Sequence, residues 1–350
     1  MQPSLAQAQR EIKCVVWDLD NVIWDGVLLE DERVAVRPGI VDVLRTLDER
    51  GILLSIASRN HEETAMHRLE ELGIAQLFLH PQINWGSKAA SILHIQEALN
   101  IAMDAIAFVD DQPFELAEVA FAHPEVLCLE ASEIDGWLHR AELTPRFLTA
   151  DAKRRREMYI NDITRARAEE SFEGPKEEFL ATLGMQFRIA RAREEDLHRV
   201  EELTRRTSQL NATGRTYAYE NLAAILSSNA HDLLVAELED RFGAYGKIGL
   251  ALVERGSDEH TLLLLLTSCR VMSRGVGTIL LHYVMRRARE AGVRLLAHFV
   301  ETKRNRMMFV TYKFAGFREV NRQGELLVLE NDLAHIPEPP PYVTIHALSN

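Results

Sequence analysis

Four short stretches hold carboxylates, a hydroxyl and an amine of the kinds that handle phosphoryl groups: Asp18-Leu19-Asp20-Asn21-Val22, Ser58-Arg59-Asn60, Lys88 and Asp110-Asp111. A carboxylate in line with a phosphoryl group can attack it once cations offset the repulsion between the negative charges, so Asp18 is the candidate nucleophile. Asp20, two residues on, can protonate a leaving oxygen and later activate water. Asp18, the backbone carbonyl of Asp20 and Asp110 make a hard oxygen set suited to Mg²⁺, with Asp111 in support. Ser58, with Arg59 and Asn60 behind it, can hydrogen-bond phosphoryl oxygens. Lys88 can neutralise both the phosphate and the Asp18 carboxylate. A lone Asp-x-Asp is a common feature of solvated turns, whereas four such stretches in this order describe a phosphate and metal site.

These residues need strands that end beside one another. The apolar runs Cys14-Val15-Val16-Trp17 and Ala105-Ile106-Ala107-Phe108-Val109 lead straight into Asp18 and Asp110, as buried parallel strands do where an open α/β sheet binds its ligand. From residue 12 to about 130 the pattern alternates: strand 13–18, helix 39–50, strand 52–57, helix 61–72, strand near 76–79, helix 88–99, strand 105–109, helix 113–121 and strand 125–129. That rhythm predicts a doubly wound parallel sheet over residues 11–150. Only Asn21 to Pro38 separates Asp20 from the first helix. That is enough for a short flap but not for a folded cap domain, so the site is read as capless and accessible to a bulky substrate.

Residues 151–178, opening Asp151-Ala152-Lys153-Arg154-Arg155-Arg156, are strongly charged and read as a helical linker. A second α/β pattern runs over 179–335, with a strand at 185–190, a helix at 194–206, strands near 232–238, 245–254 and 260–268, a helix at 275–291 and a strand at 294–300. Residues 336–350 contain the proline-rich run Pro337 to Pro341 and read as an extended tail.

The chain of 350 residues has a formal charge of -13 at pH 7, but the acidity is concentrated in one half. Residues 1–150 hold 11 Lys+Arg against 25 Asp+Glu, while residues 151–350 hold 29 against 28. Nucleic-acid binding is not expected without a basic excess interleaved with aromatics. No segment is apolar for the ~18 residues of a membrane span, and the first ten residues carry no long apolar stretch, so a cytoplasmic location is expected. Cys14, Cys128 and Cys269 are scattered and odd in number, which argues against disulfides and structural zinc.

The motifs resemble those of the haloacid dehalogenase (HAD) superfamily, and over residues 11 to 330 the chain resembles the FkbH-like proteins of polyketide biosynthesis. The resemblance rests on Lys13-Cys14-Val15-Val16-Trp17-Asp18-Leu19-Asp20-Asn21, Ile83-Asn84-Trp85 ahead of Lys88, Phe108-Val109-Asp110-Asp111-Gln112-Pro113-Phe114-Glu115, Ser268-Cys269-Arg270-Val271 and Thr302-Lys303-Arg304-Asn305. It implies an Mg²⁺-dependent enzyme that dephosphorylates a three-carbon substrate, the glyceryl unit of 1,3-bisphosphoglycerate. D-glyceryl is then loaded onto the phosphopantetheine thiol of an acyl carrier protein. It also implies a GNAT-like α/β domain in the second half.

Two departures stand out. Family members often have a cysteine just before the serine of the second motif, where this chain has Ala57-Ser58-Arg59-Asn60. The GNAT turn Q/R-x-x-G-x-G reads Met272-Ser273-Arg274-Gly275-Val276-Gly277 here. The resemblance places Arg270, Arg274, Gly275, Gly277 and Asn305 at a pantetheine or CoA site, with Tyr312 near its acyl end; backbone amides at that helix N-terminus would hold the pyrophosphate. Three readings stand: a glyceryl transferase/phosphatase, a phosphatase fused to a CoA-dependent N-acetyltransferase, and a noncatalytic carrier-protein scaffold. An acidic carrier is expected to dock on the basic clusters Lys153-Arg154-Arg155-Arg156, Arg205-Arg206 and Arg286-Arg287.

Overall fold

The computed structural model describes residues 10–31 and 34–347. The chain divides into two compact units, residues 1–163 and 164–350.

In the first unit β1 (Cys14–Trp17) is followed by the short strands β2 (Trp24–Asp25) and β3 (Ala35–Val36), then α1 (Ile40–Glu49), β4 (Leu53–Ser58), α2 (Glu62–Glu71), β5 (Gln82–Ile83), α3 (Lys88–Leu99), β6 (Ile106–Asp110), α4 (Pro113–Ala122) and β7 (Leu127–Glu130). The short helices α5 (Ile134–Trp137) and α6 (Ala150–Lys153) follow. The main sheet has the order β5-β4-β1-β6-β7, and every pairing in it is parallel. Val15, Trp17, Leu54, Ile56, Ala107 and Val109 fill one face, while Cys14, Val16, Leu53, Ala57, Ile106 and Phe108 fill the other. This is why the strands are apolar at every position rather than at alternate ones. The strand order reverses direction at β1, and the crevice beyond the carboxyl ends of β1 and β6 is where such sheets take ligands.

Between Asp20 and α1 lie the β2–β3 hairpin and its turns, and between Ser58 and Lys88 only α2, a 3-10 turn and β5. Among the described residues no cap domain interrupts the sheet, as expected. The strand predicted near 76–79 is a 3-10 turn at Ala75–Leu77, with the edge strand β5 lying further on. Phe78 makes only an isolated parallel bridge to Leu54 before the chain turns. Burial makes Leu77-Phe78-Leu79 apolar without making it a strand.

The segment expected to be a helical linker is helical in α6, in α7 (Arg155–Glu170) and in α8 (Lys176–Thr182), and the boundary between the units falls within α7. Residues of α7 belong to both cores: Tyr159 and Ile163 pack in the first unit and Ala168 in the second.

The second unit continues with β8 (Met185–Arg191), α9 (Leu197–Arg206), α10 (Tyr219–Leu226), β9 (His231–Asp240), β10 (Gly243–Arg255), β11 (Glu259–Thr267), α11 (Ile279–Ala291), β12 (Arg294–Val300), α12 (Arg306–Phe314), β13 (Arg318–Gln323), β14 (Leu326–Asn331) and β15 (Val343–Ala347). Its sheet has the order β13-β14-β12-β11-β10-β9-β8-β15. The tail thus contributes an edge strand: β15 pairs in parallel with β8, Val343 opposite Met185. Residues 348–350 of the expected tail lie outside the described residues. Among the described residues no helix is long and apolar enough to cross a membrane.

Candidate functional site

Strand ends bring the acidic residues of the first unit together. Asp18 continues β1, its N–H donating to the Val109 carbonyl at 2.9 Å, and Asp110 closes β6 one strand away. One carboxylate oxygen from each of Asp18, Asp110 and Asp111 fits within a 4.8 Å cluster. Lys88 starts α3, whose cap Ser87 accepts from the Ala90 N–H at 3.2 Å. The Lys88 ammonium lies 3.0 Å from Asp18 Oδ2 and 2.5 Å from Asp110 Oδ2. Asp18, Lys88 and Asp110 are all buried.

Three carboxylates thus cluster beside one ammonium, which pairs with Asp18 and Asp110. Burial, and then the neighbouring Asp18 charge, push the Asp110 carboxyl up to about 6. Asp111 is raised by burial and by Asp18 as well. Burial alone would lower Lys88, but Asp18 and Asp110 outweigh it and hold its pKa above the usual value. Hard oxygens, close spacing and excess negative charge fit a divalent cation held by Asp18, Asp110 and Asp111.

Asp20 stands beside this centre with both oxygens engaged. Trp24 Nε1 and the Leu28 N–H donate to Oδ1 at 2.7 and 3.1 Å, and Asn60 Nδ2 donates to Oδ2 at 3.1 Å. Burial raises its pKa despite these donors. Trp24 and Leu28 belong to the flap segment, so that segment holds Asp20 in place. Sequence reasoning missed both, because a backbone N–H and a tryptophan four residues on leave no motif.

Of the residues assigned to phosphate, Ser58 is buried at the end of β4 and Lys88 is in the centre. Asn60 and Arg59 are engaged elsewhere. The Asn60 amide bridges Asp20 and the His61 N–H. The Arg59 guanidinium lies 2.8 Å from Glu115 and 3.5 Å from Glu118, and donates to the Gly86 carbonyl at 3.3 Å. It therefore ties the loop before α3 to α4 at the rim. Ala57 is fully buried in β4. Burial pushes up the thiols of Cys14 and Cys128, so neither is an activated nucleophile.

In the second unit, β11 and β12 pair only from Glu259 opposite Arg294 to Leu262 opposite Ala297. Residues 210–212 bridge their later halves: the Ala212 N–H donates to Leu265 O, Thr267 N–H to Leu210 O and Val300 N–H to Ala212 O, at 2.9, 2.9 and 3.1 Å. Asn305 secures this insertion. Its amide donates to the Asn211 and Val300 carbonyls at 3.0 and 2.9 Å, and its Oδ1 accepts from the Thr302 N–H at 2.8 Å. The side chain is wholly buried, so it serves the backbone rather than facing a ligand.

Gly275 keeps the left-handed turn, with φ at +68°, but the approach to it is taken. A Cβ there would lie 2.4 Å from the Tyr342 hydroxyl, whereas one at Gly277 would meet nothing within 4 Å. Arg274 pairs with Glu169 at 2.8 Å and Arg270 donates to the Tyr245 carbonyl at 2.6 Å. Tyr312 is fully buried in the core. The basic clusters are engaged too: Arg155 on the Gly51 carbonyl, Arg156 with Asp48, Arg205 with Glu201, Arg286 on the Pro337 carbonyl and Arg287 with Asp232.

Residues 25–118 match the family described as "Hydrolase: haloacid dehalogenase-like hydrolase". The chain is 28% identical over 127 residues to magnesium-dependent phosphatase 1 of Homo sapiens, covering 31% of this chain and 72% of the human protein. Among solved structures it is similar to the N-terminal, phosphatase-domain part of protein BF1531 from Bacteroides fragilis complexed with Mg. The identity is 30%, over 37% of this chain and 40% of that one, with a TM-score of 0.32. It is also similar to the ribosomal-protein-S18-alanine N-acetyltransferase from Escherichia coli, at 15% identity over 43% of this chain and 97% of that one, with a TM-score of 0.34. At these TM-scores neither structural likeness carries function across. In sequence, the first unit is similar to haloacid dehalogenase-like hydrolases and to a magnesium-dependent phosphatase.

Proposed function

We propose that the first unit is an Mg²⁺-dependent phosphatase or phosphotransferase acting through Asp18. The observation that carries this reading is the placement of Asp18, Asp110 and Asp111 within 4.8 Å, with Lys88 bridging Asp18 and Asp110. Bound Mg²⁺ would offset phosphoryl charge. Asp18 Oδ attacks phosphorus as the bond to the leaving oxygen breaks, and Asp20 protonates that oxygen where it needs a proton. Asp20 then takes a proton from water as the water oxygen attacks phosphorus, which releases phosphate and restores Asp18. The test is phosphate release from acetyl phosphate with and without Mg²⁺. Release that is independent of Mg²⁺ and of Asp18 would overturn the assignment.

The finer reading is that of an FkbH-like glyceryl transferase/phosphatase, which dephosphorylates a 1,3-bisphosphoglycerate-derived unit and loads D-glyceryl onto an acyl carrier protein. With Ala57 in place of a thiol, the carrier thiol itself attacks the acyl carbon, losing its proton as the carbon–oxygen bond to the 1-phosphate breaks and phosphate leaves, while Asp18 serves the 3-phosphate ester; attack of Asp18 on the acyl phosphate would leave an unactivated glycerate. The carrier's mass after incubation with Mg²⁺, 1,3-bisphosphoglycerate and the protein decides this: a glyceryl adduct supports it, and an unchanged carrier beside released phosphate leaves a phosphatase alone. The fused N-acetyltransferase is the second reading, favoured by the left-handed Gly275 ahead of α11 and opposed by the filled β11–β12 gap. Sustained acetylation of an amine from acetyl-CoA would establish it.

A further inference from the structure

If Asp18 receives a phosphoryl group, the rest of the substrate begins at the leaving oxygen, which Asp20 protonates. The carbon arm therefore leaves past Asp20. The turn that follows Asp20 is tied both to the carboxylate centre and to the flap hairpin, through Asn21. Its backbone is left-handed, with φ at +56°. The Asn21 side chain donates to Asp111, its Oδ1 accepts from the Gly26 N–H at 3.1 Å, and its own N–H donates to the Gly26 carbonyl at 3.2 Å. Arg37 closes the same turn from just beyond β3. Its Nη1 donates to the Asn21 carbonyl at 2.9 Å, and its backbone N–H donates to the Ile23 carbonyl at 3.0 Å.

The charge of Arg37 is little used by the fold. Its Nε lies 3.6 Å from Asp25 Oδ1, and the Asp25 side chain is 66% exposed, so water screens the pair. Among the described residues Arg37 Nη2 has no partner. Lys88 and Arg59 are committed instead, Lys88 to Asp18 and Asp110, Arg59 to Glu115 and Glu118. One guanidinium is thus left with donors to spare, anchored on the residue next to the general acid. Its planar fork of N–H groups suits a carboxylate or a phosphate.

We propose that Arg37 is a specificity residue that binds a second anionic group, a carboxylate or an acyl phosphate, at the far end of a short phosphoester whose phosphoryl group lies at Asp18. The inference rests on the phosphoryl reading of the Asp18 centre, and the two fail separately. A three-carbon substrate charged at both ends meets the carboxylate centre at one end and Arg37 at the other. A phosphoester with a neutral arm leaves the guanidinium to water.

The test is calorimetric binding of butylphosphonate and 4-phosphonobutyrate to the full chain with Mg²⁺. Both carry carbon in place of the ester oxygen and cannot be turned over. They differ only in a terminal methyl against a carboxylate, which lies as many bonds from phosphorus as in a three-carbon phosphoester. The ratio of their dissociation constants isolates the distal charge. The carboxylate ligand should bind about tenfold more tightly, the gain expected from one charge-assisted pair that stays partly hydrated. In Arg37→Gln, which keeps a donor for the Asn21 carbonyl but drops the charge, the ratio should fall to about one or below, since the carboxylate then nears Asp20 and Asp25 without a cation. Arg37→Lys should restore part of the preference, while Arg45→Gln, which removes an exposed arginine of α1, should leave it unchanged. Equal binding of the two ligands by the unaltered protein overturns the inference alone. So does a preference that survives Arg37→Gln with both ligands weakened together, because Arg37 then only braces the turn. Failure of both phosphonates to bind the unaltered protein overturns the phosphoryl reading and the inference with it.

Discussion

Both units bury charge, and they do so in opposite ways. In the second unit Arg165 and Asp240 are wholly buried as a bidentate pair at 2.7 and 2.9 Å. Tyr245 Oη and the Phe242 N–H also donate to Asp240, Arg165 donates to the Gly243 carbonyl, and the guanidinium stacks 3.8 Å from the Tyr245 ring centroid. One cation meets one anion, and the polar atoms have partners. In the first unit Lys88 faces Asp18 and Asp110 with Asp111 alongside, and the negative charge is in excess. A balanced buried pair holds a fold together, whereas an unbalanced one is held ready for a ligand that brings the missing charge.

The sharpest way to break this comparison is Asp18→Asn. Phosphate release should fall by about three orders of magnitude or more, yet urea unfolding should show the first unit no less stable, since one repelling carboxylate has gone. Equal loss of activity and stability would make the centre structural.

Asp240→Asn should do the reverse, leaving Arg165 buried without its anion. The cost is expected at roughly 3–5 kcal/mol in the unfolding of the second unit, with phosphate release per folded molecule unchanged. A change below about 1 kcal/mol in urea melts would mean that water reaches the pair.

A smaller effect is expected for Asn305→Ala, on the order of 2 kcal/mol, because carbonyls of residues 211 and 300 lose their donor. Hydrogen exchange at Ala212 and Val300 should speed up. If exchange there is unaltered and only CoA binding disappears, Asn305 faces a ligand after all.

The smallest effect concerns pH in chelated protein. Asp110 titrates near 6 when folded, above its value of 3.8 when unfolded. The folded state therefore takes up the proton more readily, and stability rises as pH falls from 7 to 5. The contribution is on the order of 1 kcal/mol, measured as the difference between the unaltered protein and Asp110→Asn. Mg²⁺ should flatten it. Stability that falls over this range equally in both proteins would contradict the buried, unbalanced centre.

Much of the first unit is legible in its sequence. Runs buried on both faces announce parallel strands, and Asp18, Ser58 and Asp110 follow from where those runs stop. Lys88 is legible only jointly with them. Arg59 and Asn60 follow the strand end, where the direction of a side chain depends on what lies opposite, and here Arg59 meets Glu115 and Asn60 meets Asp20. The pairing of the tail strand Val343–Ala347 is not legible in the proline-rich sequence, because its partner β8 lies far back in the chain.

The sequence by itself determined the alternation of elements and the residues at the strand tips, because hydrophobic period and chain direction are local properties. Tertiary structure alone decided which charges are balanced. Arg165 finds Asp240 and Arg274 finds Glu169, while the insertion at 210–212 fills the gap between β11 and β12 and Tyr342 covers Gly275. Those outcomes depend on distances between residues far apart in sequence, which composition and spacing do not encode.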